Sequence, residues 1–506
     1  MITNITTLTL LGLEGHKIEI QIDVSNNLPK WEIVGLPDTS VKESKERVKT
    51  AIKNSGFEIR GKKILINLAP AEIKKEGAIF DLGIAVGILV NLEYIKKEKI
   101  EEYAFLGELS LDGKVNSING ILAMCIELKR LGIKKIVIPK KSAEEASIVK
   151  DIEIYGVENL KQTVDFLNGD TKIEKMKIKT NENINEEDNI DYSDVRGQEN
   201  VKRALEIAAA GGHNCLLIGS PGSGKTMIAR RLPTILPEMN FEEILEVTKI
   251  YSIAGIGRSN EIINKRPFRS PHHTASKISI TGGGKNAKPG EISLAHRGVL
   301  FLDELPEFNK STLEVLRGPL EDRKVLISRI NGNYEYPSNF MLIASMNPCP
   351  CGYYGSKEKE CTCSANEINR YMHKISGPLL DRIDIQVEVH TINYEKITEN
   401  RKSESSKEIQ GRVKKARKIQ EERYKEYKIY SNAELTPKLI EKYCKINTES
   451  QEILGKAFKR LNLSTRAYNR ILKVARTIAD LKERKDIETE DIVEAIQYRS
   501  LDKKYF

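Results

Sequence analysis

A glycine-rich stretch in the middle of the chain has the residue types and spacing of a loop that binds nucleotide phosphates. Residues 219–226 are GSPGSGKT, which fits the pattern G-x-x-x-x-G-K-S/T, and an apolar run at residues 215–218 lies immediately before them. Backbone N–H groups can surround phosphate oxygens only where side chains do not intrude, so we expect a strand, this loop and then a helix. Lys225 should reach the β- and γ-phosphates, and the Thr226 hydroxyl should hold Mg²⁺. The predicted nucleotide-binding residues of the loop are Gly219, Ser220, Pro221, Gly222, Ser223, Gly224, Lys225 and Thr226.

A pair of acids further along the chain supplies the second half of a nucleotide-hydrolysing site. Residues 298–304 are GVLFLDE, an apolar strand that ends in Asp303 and Glu304. Asp303 would bind Mg²⁺ and the nucleotide, while Glu304 would polarise the attacking water. A surface glycine turn and an unrelated buried strand would also explain the two motifs separately. Their occurrence in this order favours a nucleoside triphosphatase.

Three more polar residues extend this site in a way that suits a ring of subunits. Asn347 follows the apolar strand at residues 340–346, where it would touch the γ-phosphate or the attacking water, although a residue before proline is also a common turn former. Arg382 and Arg466 could stabilise transition-state charge, one from the neighbouring subunit and the other by closing the lid over its own phosphates. Arginines at helix ends also form surface salt bridges of little value. The predicted catalytic residues are Glu304, Asn347, Arg382 and Arg466.

Composition restricts the class of protein. The 506 residues are too many for one hydrophobic core and predict about three domains. No apolar stretch approaches the roughly 18 residues of a membrane span, and the N-terminus lacks the pattern of a secretion signal. A net charge of +9 permits a polyanionic partner without requiring one. The 7 cysteines do not resemble a disulfide framework in so long a chain, so we expect a cytoplasmic protein with no membrane partner.

Four regions follow one another along the chain. Residues 1–168 alternate short β-branched runs with helical patterns, which predicts an α/β or α+β domain. Residues 169–194 are expected to be a linker, because their second half is acidic and almost without apolar residues. The nucleotide domain should span residues 195–391, and residues 392–506 should form an all-α lid.

Several motifs carry a specific resemblance. Residues 268–274 (FRSPHHT), 289–296 (PGEISLAH), 347–352 (NPCPCG) and 377–382 (GPLLDR) are similar to the magnesium-chelatase-like AAA+ family, and within it to the YifB/ComM branch. The resemblance covers essentially the whole chain. It implies an AAA+ P-loop core with a parallel sheet, ATP and Mg²⁺ as cofactors, and a homo-oligomer that forms a hexameric ring.

The same resemblance implies roles for particular residues. Arg382 would be the finger that acts in trans and Arg466 the sensor-two arginine, with Arg470 as the alternative for the second role. Two hairpins, at residues 276–290 and 325–336, would point into the channel of the ring. Their basic residues could neutralise the phosphates of a threaded DNA strand, although solvated loop charges would look the same. The predicted nucleic-acid contacts are Lys277, Lys285, Lys288 and Arg329.

Four clustered cysteines could bind a structural zinc ion. Two C-x-C pairs in a cytosolic loop offer four thiolates for tetrahedral Zn²⁺: Cys349, Cys351, Cys361 and Cys363. Because C-x-C is less usual than C-x₂-C in such sites, free thiols or redox-sensitive pairs are the alternatives. His272 and His273 have no second ligand at metal spacing, so we predict packing or interface roles for them.

The N-terminal region resembles a protease fold without its catalytic residues. Residues 105–122 and 132–139 are similar to the Lon-type protease domain, a ribosomal S5 domain 2-like fold. These proteases use a serine that a lysine base activates. Residues 76–81 contain no serine and residues 121–124 no lysine, so we predict no peptidase activity and a docking or nucleic-acid-facing role instead.

Together these features favour an ATP-hydrolysing hexameric motor that acts on DNA. It would be a translocase or branch-migration helicase of the ComM type, active in recombination or natural transformation. The alternative is a metal-chelatase-type remodelling ATPase acting on a protein partner, although dedicated chelatase motor subunits generally lack a Lon-like front domain. A general protein-remodelling ATPase would be expected to grip its substrate with channel aromatics, for which Tyr334 and Tyr336 are candidates.

Overall fold

The computed structural model describes residues 2–505 except residues 27, 60, 177–189, 257–261, 285–286, 330–331, 357–358, 392–402, 428, 462 and 502–504. Within these residues the chain builds an N-terminal mixed α/β domain, a core around a parallel sheet and a helical C-terminal region. Among them, no helix combines the length and the apolar character that a bilayer crossing requires.

The N-terminal domain is a mixed sheet with helices packed on it. Its strands are β1 (Ile2–Leu11), β2 (Glu14–Ser25), β3 (Lys30–Val34), β4 (Lys63–Ala69), β5 (Tyr103–Phe105), β6 (Glu108–Leu109), β7 (Val115–Asn116), β8 (Lys135–Pro139) and β9 (Glu153–Val157), and its helices are α1 (Thr39–Asn54), α2 (Asp81–Asn91), α3 (Ile121–Arg130), α4 (Ala143–Ala146) and α5 (Leu160–Asn168). In the described part of the chain, the main sheet has the order β3-β4-β2-β1-β5-β8-β9. Helix α2 is apolar on nearly every side because α1 and the β1–β2 face cover it. Asp81, at the start of α2, accepts a hydrogen bond from Arg47 Nε at 2.9 Å, so a structural ion pair occupies this end of the loop at residues 76–81.

The core is a parallel sheet that brings its functional loops to one edge. Its strands are β10 (Cys215–Gly219), β11 (Phe268–Arg269), β12 (Gly282–Gly283), β13 (Lys288–Pro289), β14 (Val299–Leu302), β15 (Lys324–Arg329), β16 (Gly332–Pro337), β17 (Met341–Met346) and β18 (Ile385–Val389). The described sheet has the order β11-β14-β17-β10-β18, and β12–β13 and β15–β16 are separate antiparallel pairs. The inner strands β10, β14 and β17 are almost wholly buried, as apolar runs in a parallel sheet should be. Gly219, Asp303 and Asn347 therefore come to the same edge, at the C-terminal ends of neighbouring strands.

Helices surround this sheet and continue into the C-terminal region. The core helices are α6 (Glu199–Gly211), α7 (Lys225–Arg231), α8 (Phe241–Ala254), α9 (Lys277–Thr281), α10 (Glu291–Leu294), α11 (Lys310–Glu314), α12 (Arg317–Asp322), α13 (Ala365–Met372) and α14 (Gly377–Leu380), and the C-terminal helices are α15 (Ser406–Tyr424), α16 (Pro437–Tyr443), α17 (Thr448–Leu461), α18 (Thr465–Leu481) and α19 (Thr489–Gln497). Helix α18 packs on α6 and α15, so core and C-terminal region share one hydrophobic cluster. The buried carboxylate of Asp480 on α18 binds Arg423 Nη2 at 2.6 Å and Arg476 Nε at 3.1 Å, which fixes α15 to α18.

Helix α8 links the core to the N-terminal domain. It packs against α3, and Gly120 N donates to Ser252 O at 3.1 Å. On its other side, Glu246 accepts hydrogen bonds from His296 Nε2 at 3.0 Å and from Arg297 Nε at 2.9 Å. Burial opposes ionisation of Glu246, but His296 and Arg297 outweigh it and hold the pKa of the carboxyl at about 2. The helix is thus anchored to the segment that enters β14.

Candidate nucleotide site

The glycine-rich loop has the conformation that its sequence predicts. It leaves β10 at Gly219 and enters α7 at Lys225. Gly222 and Gly224 have φ angles of 76° and 89°, which favour glycine because a Cβ would be strained there. The backbone can therefore turn closely around a phosphate group.

The Lys225 side chain lies inside this loop. Its Nζ donates to Gly219 O at 2.8 Å, to Ser220 O at 2.9 Å and to Asn347 Oδ1 at 3.1 Å. Burial lowers the pKa of Lys225, and the nearby carboxylates of Asp303 and Glu304 only partly offset it. Since all three acceptors are neutral oxygens, the ammonium is available to bind an anionic phosphate.

Two oxygens beside the loop fit a magnesium ion. Thr226 Oγ1 donates to Asp303 Oδ2 at 2.7 Å. An octahedral Mg²⁺ with oxygen ligands at about 2.1 Å holds adjacent ligands about 3.0 Å apart, so these two atoms are close to the required spacing. Ser345 Oγ donates to the other oxygen of Asp303 and orients the carboxylate, an interaction that the sequence did not indicate.

Glu304 extends beyond the end of β14 next to a histidine. Its φ angle of 53° is uncommon for a non-glycine residue and turns the side chain away from the strand. His273 Nδ1 lies 3.7 Å from Glu304 Oε2, and the His272 and His273 rings are in contact, with centroids 4.1 Å apart and planes tilted by 34°. The prediction of a packing role for His273 therefore missed a contact with Glu304. β11 pairs with β14, so the residues just after β11 lie at the same sheet edge as Glu304, but a strand of two residues leaves too short a pattern to be recognised from sequence.

The arginines lie at the opposite edge of the sheet. Asp384 N and Ile385 N both donate to Asn214 O at 3.0 Å, so the segment that carries Arg382 meets the beginning of β10. The phosphate-binding loop is at the other end of that strand, about 16 Å away at about 3.3 Å per residue. Arg382 pairs with Glu321, and its Nη1 donates to Pro378 O at 2.8 Å.

Arg466 and Arg470 share this location. Ser464 Oγ, just before α18, lies 3.4 Å from Asp381 Oδ1, and Arg470 Nη1 donates to Arg382 O at 3.3 Å. Arg382, Arg466 and Arg470 line one cleft of about 740 Å³ between the core and the helical region. This placement contradicts the expectation that Arg466 closes over the phosphates of its own subunit, because the helix carrying it packs at the wrong end of β10. Arg470, the alternative for that role, forms an ion pair with Asp384 instead.

Comparison with known proteins decides the family. The chain is 40% identical over 495 residues to the Competence protein ComM of Haemophilus influenzae. The aligned residues cover 97% of this chain and 96% of the relative. The chain belongs to the ComM/YifB family of magnesium-chelatase-like AAA+ ATPases. It is also 40% identical over 498 residues to the uncharacterised protein YifB of Escherichia coli, with 98% of this chain and 97% of the relative covered.

Family models divide the ComM-family chain in three. They are described as Magnesium chelatase, subunit ChlI (residues 191–397), Subunit ChlI of Mg-chelatase (residues 20–142) and Magnesium chelatase, subunit ChlI C-terminal (residues 403–499). The Magnesium-chelatase 38 kDa subunit of Rhodobacter capsulatus is 25% identical over 174 residues, or 31% of this chain and 50% of the relative. The parallel-sheet core and helical C-terminal region fit this family, which implies ATPase activity with ATP and Mg²⁺.

The two predicted hairpins of this ComM-family ATPase are adjacent. The first consists of α9 followed by the short pair β12–β13, and the second is β15–β16. The buried hydroxyl of Tyr336 donates to Ala287 O at 2.9 Å, and a Cβ added to Gly283 would lie 2.6 Å from Arg329 Nη2. The second hairpin therefore packs on the first.

The basic residues that are predicted to contact DNA differ in exposure and in the contacts that their side chains already make. Lys277 is exposed at the start of α9, whereas Lys288 Nζ donates to Ala254 O at 3.4 Å. Arg329 lies near the tip of β15, against Gly283, and Lys285 falls outside the described residues.

The aromatic side chains of the second hairpin are not free to grip a substrate. Tyr336 is only 1% exposed, and a Cβ added to Gly12 would lie 3.2 Å from Tyr334 Cδ1. Tyr334 thus packs against the N-terminal domain. The two tyrosines do not have the exposed position that the protein-gripping hypothesis requires.

The four cysteines of the ComM-family chain converge. All four sulfurs lie within 4.8 Å of one another, and Cys349 Sγ is 3.3 Å from Cys351 Sγ and 3.6 Å from Cys361 Sγ. Four thiolates at about 2.3 Å from a tetrahedral Zn²⁺ lie about 3.8 Å apart, so the cluster is compatible with zinc.

Proposed function

We propose that this ComM-family ATPase works as a hexameric ring that hydrolyses ATP between subunits and moves along DNA. The observation that carries the proposal is the separation of Arg382 and Arg466 from Lys225 by the length of β10. A single subunit cannot bring both groups to one nucleotide, whereas a ring places the arginine edge of one subunit against the phosphate loop of the next. An arginine supplied in trans can raise phosphoryl transfer by several orders of magnitude.

The residues of one subunit would divide the work at the phosphate loop. Lys225 would exchange its carbonyl partners for the β- and γ-phosphates, and Asn347, which accepts from Lys225, would orient the γ-phosphate or the attacking water. Thr226 and Asp303 would hold Mg²⁺, which neutralises charge on the phosphates when it is bound.

Glu304 would accept the proton of the attacking water. His273, 3.7 Å from its carboxylate, would fix where that carboxylate points. Arg382 and Arg466 of the neighbouring subunit would complete the site by stabilising charge on the transferring phosphoryl group. Before it can act, Arg382 must leave Glu321.

DNA would pass along the two hairpins. The predicted contacts Lys277, Lys285, Lys288 and Arg329 would neutralise backbone phosphates without reading sequence. Since Tyr336 joins the second hairpin to the first, both would move as one unit when hydrolysis changes the core. The relative named Competence protein supports a role of the ComM type in natural transformation or recombination, as a translocase or branch-migration helicase.

The remaining assignments follow from the same chain. We assign residues 1–168 to a Lon-protease-like domain without peptidase chemistry, 169–194 to a linker, 195–391 to the AAA+ core and 392–506 to a helical lid. A structural Zn²⁺ would be held by Cys349, Cys351, Cys361 and Cys363, and the protein would be cytoplasmic.

One measurement separates this function from a chelatase-type ATPase that remodels a protein partner. The ATPase rate is measured with no DNA and with single-stranded, duplex or forked DNA, each at two salt concentrations. We expect stimulation that weakens at higher salt, because phosphate contacts release counterions. No stimulation at either salt, together with no shift of DNA on a gel, refutes the DNA function. The partial match to the Rhodobacter capsulatus subunit favours the chelatase-type alternative in that case.

A further inference from the structure

The cysteine loop, residues 349–363 without the undescribed residues 357–358, contacts the phosphate-binding loop at Gly352. A Cβ added to Gly352 would be 2.4 Å from Pro221 Cδ and 2.7 Å from Pro221 Cγ. Gly352 has a φ angle of 86°, a conformation that favours glycine. The closeness of Pro221 also leaves no room for a side chain at this position. Pro221, the second residue after Gly219, is thus in van der Waals contact with the first part of the cysteine loop.

A second connection runs through Asn347. This residue directly follows β17, two positions before Cys349, and its Oδ1 accepts a hydrogen bond from Lys225 Nζ at 3.1 Å. Cys349 is fully buried, so the beginning of the cysteine loop is fixed close to the lysine that would hold phosphate. The first part of the cysteine loop is therefore connected to the nucleotide site at two points, Gly352 with Pro221 and Asn347 with Lys225.

The cysteine loop needs a cross-link to keep this position. Its described residues contain no helix or strand, and an irregular segment of this length is costly to order. The sulfurs are 3.3 to 3.6 Å apart where Cys349, Cys351 and Cys361 meet, too far for disulfides of about 2.05 Å but suitable for a shared metal.

Backbone amides also point at the sulfurs. Cys351 N donates to Cys363 Sγ at 3.3 Å, and Tyr354 N donates to Cys349 Sγ at 3.3 Å. Such N–H donors stabilise metal-bound thiolates. The backbone of the loop is thus already folded around the cluster.

We infer that zinc in the cysteine loop is a latch for the nucleotide site: a tetrathiolate Zn²⁺ holds Gly352 on Pro221 and Asn347 on Lys225, and nucleotide affinity depends on it. This inference rests on the proposed zinc site and ATPase function. The metal takes no part in hydrolysis, since four thiolates leave no open coordination position. It acts by keeping the phosphate-binding loop in the form that binds ATP.

Two variants test the latch. Cys361→Ser/Cys363→Ser removes two thiolates at the far end of the loop and leaves Asn347 and Cys349 in place. Gly352→Ala leaves all four cysteines and disturbs the contact with Pro221, by crowding its ring and by straining the backbone at a φ angle of 86°. Cys444→Ser, at a buried cysteine in the helical region, is the matched control. Zinc is measured by mass spectrometry of the metal content, ATP binding by a fluorescent ATP analogue with Mg²⁺, and folding by thermal unfolding.

We expect one zinc per chain in the wild type and in Gly352→Ala, and none in the double variant. ATP-analogue affinity should fall at least tenfold in both variants and stay unchanged in Cys444→Ser.

Zinc bound in the wild type with unchanged affinity in Gly352→Ala overturns the latch and leaves the zinc site standing. Wild type that binds ATP but no zinc, even after growth with added zinc, overturns both. Wild type that binds zinc but no ATP contradicts the proposed ATPase function instead. If the double variant fails to fold, Gly352→Ala alone decides.

Discussion

Mixing two defective variants tests whether two copies of the chain share one catalytic site. Lys225→Ala removes the ammonium from the phosphate loop, and Arg382→Ala removes the guanidinium from the opposite edge of the sheet. The two groups are separated by the length of β10, about 16 Å, so they cannot serve the same phosphate within one subunit. In a ring, each variant alone has one defect at every interface.

The expected magnitudes differ sharply between the parents and their mixture. Loss of an arginine finger lowers the hydrolysis rate by about 10³- to 10⁵-fold, and the loss of Lys225 should be of similar severity because it removes the main phosphate contact. In an equal mixture, an interface is intact when a subunit with Lys225 faces one with Arg382. Random assembly makes about a quarter of the interfaces intact, so we expect about a quarter of the wild-type rate.

The assay is continuous phosphate release after the two proteins exchange subunits. Arg317→Ala is the matched control, because Arg317 is a half-exposed arginine whose ion pair with Glu314 is at the surface, and its loss should leave the rate almost unchanged. Native mass spectrometry verifies that mixed assemblies form. If mixed assemblies form and the rate stays at the level of the parents, Arg382 does not act in trans and the reasoning from the sheet edges is refuted.

Four further predictions concern catalysis, DNA and stability. Glu304→Gln should keep ATP affinity and assembly but lower turnover by about 10²- to 10⁴-fold, and normal turnover in a steady-state assay would remove Glu304 from its role. Lys277→Ala should reduce the log–log salt slope of single-stranded DNA binding by about 0.7, while Lys288→Ala, whose ammonium already has a backbone acceptor, should change it less; equal slopes for both would contradict this order. Asp480→Asn should lower the free energy of unfolding in urea by about 3–5 kcal/mol, because its two arginine partners lose a buried carboxylate, and a loss below about 1 kcal/mol would contradict that. Since the folded pKa of Glu246 is about 2 and its ordinary value is 4.5, its stabilisation is present above pH 4.5 and is lost as the pH falls toward 2. Between pH 5 and pH 3, Glu246→Gln should therefore lose less unfolding free energy than the wild type, by on the order of 1 kcal/mol because the side chain is 43% exposed, and parallel pH curves would refute the assignment.

The phosphate loop and the acids were predictable because their geometry is local. A strand, a glycine-rich turn and a helix fix the backbone around Lys225 from adjacent residues alone. Parallel strands then bring Asp303 and Asn347 to the same edge, because both follow buried apolar runs. The convergence of the cysteines was also implied by sequence, since two closely spaced pairs need only one loop to meet.

The location of Arg466 was not predictable in the same way. It depends on where α18 packs on α6, a contact between segments more than two hundred residues apart, and no local pattern specifies which end of β10 the helix start reaches. The roles of Tyr336 and His273 were missed for a related reason. An alternating strand pattern does not say whether an aromatic side chain faces solvent or a neighbouring hairpin, and the short strand β11 gives too weak a signal to place the histidines.

The contact between Gly12 and Tyr334 joins the N-terminal domain to the second hairpin of the core. Gly12 lies in the tight turn between β1 and β2, and every residue of β1 is paired with β2, so the turn is the end of a long two-stranded hairpin. In the proposed motor, a movement of the second hairpin would either separate Tyr334 from this turn or move the N-terminal domain with it. A conformational change at the phosphate-binding loop would thus change the orientation of the N-terminal domain, although that domain contributes no residue to the candidate nucleotide site.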